Sequence, residues 1–109
     1  MSEEKNIQKY LPVSEATFYI LLALVEPRHG YAVMQHVEQI SDGVVKIGPG
    51  TLYGAFQTLE KDGLIVKVAE TERRKAYGLT KRGKQVLRAQ IERLQRMAKS
   101  GGETIQQLE

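Results

Sequence analysis

The sequence predicts a mainly helical chain of the α+β class, with one hairpin set between its third and last helices. Three observations carry this. Apolar residues recur at spacings of three and four in three separate segments after a fourth that is apolar almost all round, a single stretch rich in β-branched residues is folded back on itself, and basic charge collects late in the chain. At 109 residues and 41% hydrophobic content, the chain has room for one core and one domain.

Ser14 and Glu15, after Pro12, open the first helix: serine is a good N-cap, and a carboxylate suits the positive end of the helix dipole. This helix is predicted to run to about Val25. It is apolar almost all round, so it needs cover on more than one side, and in so small a chain part of that cover is expected from a second subunit. Pro27 and Gly30 punctuate. A second helix then carries Tyr31, Met34, Val37 and Ile40 at three-residue spacing, widened by Val33, and Asp42-Gly43 ends it. Gly48-Pro49 opens the third helix, because the missing N–H of proline costs nothing at the first helical position. Leu52, Phe56 and Leu59 form its buried stripe beside Ala55, and Gly63 is its left-handed terminator.

Residues 64–69 and 75–79 read as two short strands joined by the polar segment 70–74. Thr80 caps the last helix, in which Leu87, Ile91, Leu94 and Ala98 recur at spacings of four, three and four. Helix, helix, helix, hairpin, helix is the order of a winged helix-turn-helix with a C-terminal dimerisation helix. Residues 1–83 are assigned to the DNA-binding unit, with a recognition helix over about 49–62 and a wing over about 64–79. Residues 80–99 form the dimerisation helix, and 100–109, after Ser100-Gly101-Gly102, a flexible tail.

The formal charge of +3 conceals a polarity. Residues 1–42 hold Lys5, Lys9 and Arg28 against Glu3, Glu4, Glu15, Glu26, Glu38 and Asp42. From Arg73 to Lys99, by contrast, ten basic residues face Glu92 alone. Such asymmetry points to an anionic partner, and nucleic acid fits the fold. In a winged helix the third helix enters the major groove while the hairpin lies against the backbone or in the minor groove. Outside the core stripe, that helix presents Thr51, Tyr53, Gln57, Thr58 and Lys61. Gln57 is suited to adenine, Thr51 to phosphate or a thymine methyl, and Lys61 to phosphate. Arg73, Arg74 and Lys75, at or beside the hairpin tip, can reach phosphates or pair with Glu70 and Glu72 across the hairpin. A protein-binding winged helix without DNA is the alternative.

Other chemistry finds little support. With no cysteine there is no disulfide framework, thiolate metal site or cysteine nucleophile. His29 and His36 are seven residues apart, about 10 Å if both are helical, so one metal cannot bridge them. No metalloprotease helix, carboxylate cluster or phosphate-cradling loop occurs, so neither an enzyme nor a cofactor is expected. The start MSEEKNIQKY lacks an apolar leader region, and the longest apolar run, 18–25, falls far short of a bilayer; the expectation is a cytoplasmic protein without a membrane partner.

Several motifs together carry a family resemblance. They are Leu21-Leu22-Ala23-Leu24, His29-Gly30-Tyr31, Pro49-Gly50-Thr51-Leu52-Tyr53, the run from Leu59 to Ile65, Arg73-Arg74-Lys75, and Tyr77-x-Leu79-Thr80-x-x-Gly83. In this order the chain, from about Phe18 to Leu94, closely resembles the PadR family of bacterial transcriptional regulators. The resemblance implies a winged-helix homodimer joined by its C-terminal helix, usually repressing genes for stress or drug response. It also implies that Tyr31, Thr51, Tyr53 and the Arg73 to Lys75 cluster contact DNA. With two-fold symmetry, the operator is expected to be an inverted repeat with half-sites about 34 Å apart.

Two positions depart from the family pattern. Gly54 stands inside the third helix, either to let DNA approach the backbone or merely loosening that turn. Multidrug-responsive relatives hold planar ligands between tryptophans, and this chain has none, with Leu94 at the corresponding place. A space between the first helix and the partner's last helix would be lined by Phe18, Leu22, Leu87, Ile91 and Leu94. It is expected either to take a small-molecule effector or to close as dry core.

Overall fold

The structure, a computed structural model, describes residues 6–109. The acidic pair Glu3-Glu4 and Lys5, counted in the charge above, lie outside the described residues. A short 3₁₀ turn, Gln8–Tyr10, leads into helix α1, Glu15–Ala23. The Ser14 hydroxyl accepts the Thr17 amide at 3.1 Å, so the predicted cap is in place. Helix α1 stops two residues short of Val25, where the Arg28 side chain donates Nε–H to the Ala23 carbonyl at 2.9 Å. Ile20, Leu21, Ala23 and Leu24 are buried, whereas Phe18, Tyr19 and Leu22 remain half-buried, so this one chain does not cover the whole of α1.

Strand β1, Arg28–His29, precedes helix α2, Gly30–Ile40. The inward face of α2 is Gly30, Val33 and Val37, with Met34 half-buried against the core, so the middle of the expected three-residue series faces inward and its two ends do not. Tyr31 is 66% exposed and Ile40 is at the surface. A strict spacing of three drifts around a helix of 3.6 residues per turn, and the 33–37 spacing of four wins. At the C-terminus Asp42 (φ 53°) and Gly43 (φ 78°) turn left-handed, and the Gly43 amide bonds to Glu38 O at 2.8 Å. Buried Ser41 then organises the next loop: its hydroxyl accepts from the Val45 amide at 3.0 Å and donates to carbonyl oxygens of the same turn.

Helix α3, Pro49–Lys61, has proline in its first turn and buries Leu52, Phe56 and Leu59, as the sequence requires. It closes through Gly63 (φ 75°), with Leu64 N–H bonded to Leu59 O and Gly63 N–H to Glu60 O. Strands β2, Ile65–Glu70, and β3, Lys75–Leu79, form the wing. They pair antiparallel, Ile65 opposite Leu79 and Glu70 opposite Lys75, with a bulge between Lys67 and Ala69. The sheet has three strands, in the order β1-β3-β2. Two residues show no periodicity, so β1 was not legible in the sequence; it exists because Arg28 and His29 come to lie beside Tyr77 and Ala76.

Helix α4, Lys81–Thr104, starts at the Thr80 cap, whose Oγ1 accepts the Gly83 amide at 3.0 Å and donates to Gly63 O. Gly83 is required by close packing: a Cβ there would collide with the Leu64 carbonyl oxygen. The helix does not end near Lys99. It passes through Gly101 and Gly102 to Thr104, and a 3₁₀ turn, Ile105–Leu108, follows, so 100–108 is helical in the segment expected to be a flexible tail. Two glycines weaken helix propensity by about 2 kcal/mol together, a modest penalty against the 19 residues of helix already formed from Lys81. Because every residue from Glu92 onward is exposed, α4 projects from the body and the molecule measures 56 × 40 × 20 Å.

Candidate nucleic-acid interface

On α3, the surface opposite Leu52, Phe56 and Leu59 is made by Gly50, Gly54, Gln57 and Lys61, all exposed. Tyr53, Gln57 and Glu60 turn toward the wing, whereas Thr51 and Thr58 occupy the other edge. Thr58 is anchored to its own helix, donating Oγ1–H to Gly54 O at 3.3 Å.

Between the start of α2, the wing-facing side of α3 and the wing lies a cleft of about 770 Å³. Six of the nine expected DNA contacts line it: Tyr31, Tyr53, Gln57, Arg73, Arg74 and Lys75. Thr51, Thr58 and Lys61 lie outside it, on the rest of the α3 surface. The cleft also brings in His29, Gly30, Glu60, Glu72 and Tyr77, none of which was singled out as a site residue. Among the described residues, the buried Nδ1 of His29 has no hydrogen-bond partner.

Packing sets the position of Tyr53, which is 51% exposed. Its ring meets Phe56 edge-on at 6.0 Å, and Phe56 in turn lies 4.8 Å from the Tyr77 ring on the wing, so an aromatic series ties α3 to β3. The phenol passes over Gly30, where a Cβ would sit 2.5 Å from its oxygen. Gly30 is therefore a positioning residue, found in the His-Gly-Tyr motif but explained only by the contact. Burial, reinforced by Glu60, raises the Tyr77 phenol above its ordinary pKa.

The wing tip is a tight turn, with Thr71 N–H bonded to Arg74 O at 2.8 Å and Arg74 N–H to Thr71 Oγ1. The expected competition from Glu70 is resolved in favour of Lys67, whose Nζ lies 2.9 Å from Glu70 Oε1. That hydrogen bond holds the Glu70 carboxyl below its ordinary range and raises Lys67. Among the described residues, no ion pair engages Arg73, Arg74 or Lys75, and all three are exposed. Phe18, Leu22, Leu87, Ile91 and Leu94 line neither this cleft nor the shallower one between α2 and the 42–47 loop. The described residues hold no group of three metal-binding side chains, and no helix is long and apolar enough to cross a membrane.

A helix-turn-helix followed by a basic wing defines a winged-helix regulator. The chain belongs to the PadR-like family of transcriptional regulators, whose family model matches residues 19–89. Membership places it among transcriptional regulators rather than enzymes. Among solved structures, a transcriptional regulator from Clostridium thermocellum is 26% identical with a TM-score of 0.67, covering 91% of this chain and 96% of its own. A PadR family regulator from Eggerthella lenta is 25% identical with a TM-score of 0.67, covering 94% and 87%. An uncharacterised 37.1 kDa protein of a Streptomyces fradiae transposon is 34% identical over 86 residues, which is 78% of this chain. The chain spans about a quarter (24%) of that relative's length.

Proposed function

We propose that the chain is a homodimeric, sequence-specific repressor of stress or drug-response genes. In this reading α3 enters the major groove and the wing follows the phosphate backbone of an inverted-repeat operator. The observation that carries it is convergence: the wing-facing edge of α3, with Tyr53 and Gln57, meets in one cleft three cations that pair with no carboxylate among the described residues. Gln57 is assigned to base edges, Tyr31 and Tyr53 to the sugar-phosphate backbone, and Thr51, Thr58 and Lys61 to the flanks of α3 contact. Relief of repression is placed at the α1–α4 side, at Phe18, Leu22, Leu87, Ile91 and Leu94, where a small molecule and the second subunit would meet. Phe18, Leu22 and Ile91 are half-buried in the single chain, which leaves apolar surface there for either.

Titration of binding against salt tests the DNA reading. Log affinity should fall with log salt at a slope near −0.9 per phosphate neutralised. A slope near zero on every duplex would favour a protein-binding winged helix instead. On a selected operator, Gln57→Ala should lose about 1–3 kcal/mol and relax preference at one base pair. Arg74→Ala should weaken operator and random duplex alike. Equal losses on both duplexes from both substitutions would show that α3 is not the reading helix.

A further inference from the structure

A strongly basic surface lies outside the cleft between α3 and the wing. The side of α4 that packs on the body is Gly83, Val86, Leu87 and Gln90. At about 100° per residue, Lys84, Arg88, Arg96 and Lys99 share the opposite side, within roughly 120° of arc. All four are exposed, and among the described residues no ion pair engages any of them or Glu92, the one carboxylate in their midst. The other side chains between them are Gln85 and Gln95, so this surface has nothing apolar to insert into a bilayer. Like charges three and four residues apart, as in Lys84–Arg88 and Arg96–Lys99, repel one another along a helix. The arrangement therefore works against the free helix and is relieved by an anionic partner.

We propose that this side of α4 is a second DNA surface, which neutralises backbone phosphates flanking the operator without reading sequence. The inference rests on the DNA-binding reading and lengthens its footprint. Continuity selects the flank of the same duplex. The exposed side of α3 ends at Lys61, and one residue further on the Asp62 carbonyl accepts Nη1–H of Arg82 at 3.2 Å, so the first turn of α4 abuts the end of α3. From there the cations lead outward along α4. Lys84 to Lys99 spans about 22 Å at 1.5 Å per residue, the rise of about six base pairs at 3.4 Å each. From Glu92 onward every residue of α4 is exposed, so Arg96 and Lys99 stand clear of the body and a phosphate backbone can approach them. Cations that touch only phosphates add affinity and salt dependence but no sequence preference.

The test uses the full-length chain and an inverted-repeat duplex selected from a random library. That duplex is either trimmed to its half-sites or extended at each end by about ten base pairs, one helical turn. The variant Lys84→Gln, Arg88→Gln, Arg96→Gln, Lys99→Gln changes only exposed positions, so circular dichroism and solution mass should match those of the unsubstituted chain. On the extended duplex it should bind roughly tenfold more weakly or worse at low salt. Its slope of log affinity against log salt should be shallower by about 2–3.5, at up to about 0.9 per phosphate. On the trimmed duplex the two proteins should agree closely. If the fourfold variant does not fold, Arg88→Gln alone should lower the slope on the extended duplex by about 0.9. Unchanged slopes on the extended duplex, or the same loss on both duplexes, would overturn the flank contact. So would weakened binding of the variant to phosphatidylglycerol vesicles with its DNA slopes intact, which would assign the surface to lipid. A slope near zero for the unsubstituted chain on both duplexes would instead remove the DNA reading itself.

Discussion

Gly54 shows how one residue can serve stability and binding in opposite senses. It lies on the face of α3 turned away from the core, and a Cβ there would meet nothing within 4 Å. Gly54→Ala should therefore stabilise the free protein by up to ~1 kcal/mol through helix propensity. If α3 approaches DNA along its Gly50-Gly54 strip, the same methyl group should weaken operator binding. Thermal melting and an operator titration on one preparation check both signs, and a variant that melts higher and binds equally well would assign Gly54 to loosening alone. Gly30 is the opposite case. The Tyr53 phenol occupies the place of its missing side chain, so a methyl there would have to displace the phenol, whereas Gly54 would accept one freely.

Among the elements, the wing is the one whose charges are least committed. Lys67 is held by Glu70 at 2.9 Å, while Arg73, Arg74 and Lys75 are exposed around the tip. Replacing the carboxylate releases one more cation toward a backbone that lies along the wing. Glu70→Gln should raise affinity for every duplex without changing sequence preference, and steepen the salt slope by up to about 0.9. Competition titrations at several salt concentrations measure this; weaker binding to all duplexes would mean that the pair shapes the wing rather than restrains it. The ion pair is exposed and worth little to stability, so melting should be nearly unchanged. Helix α3 was legible because it carries its own period and its own turn residues, and the wing because two runs rich in branched residues flank a polar turn. The Lys67–Glu70 pairing was not, because the Lys67/Ala69 bulge alters the alternation from which strand neighbours are read.

For the molecule as a whole, the proposed homodimer would set two copies of α3 at a fixed separation about its two-fold axis. Operator half-sites should accordingly be about 34 Å apart, one turn of DNA, or a multiple of that. Inserting five base pairs between half-sites, about half a turn, should abolish cooperative binding in a footprint, and insertion of a full turn should restore part of it. Undiminished binding with half-turn spacers would argue for independent domains. Within the chain, apolar period, capping residues and charge sequence by themselves determined the four helices, the hairpin and the basic late segment, because each depends on neighbours a few residues away. Tertiary structure alone decided that β1 exists, that Tyr31 faces out and that Gly30 makes way for Tyr53. It also decided that Glu70 binds Lys67 rather than the tip arginines. The register and contact outcomes depend on which surfaces long-range packing brings together; the length of α4 depends on a helix already long enough to carry two glycines.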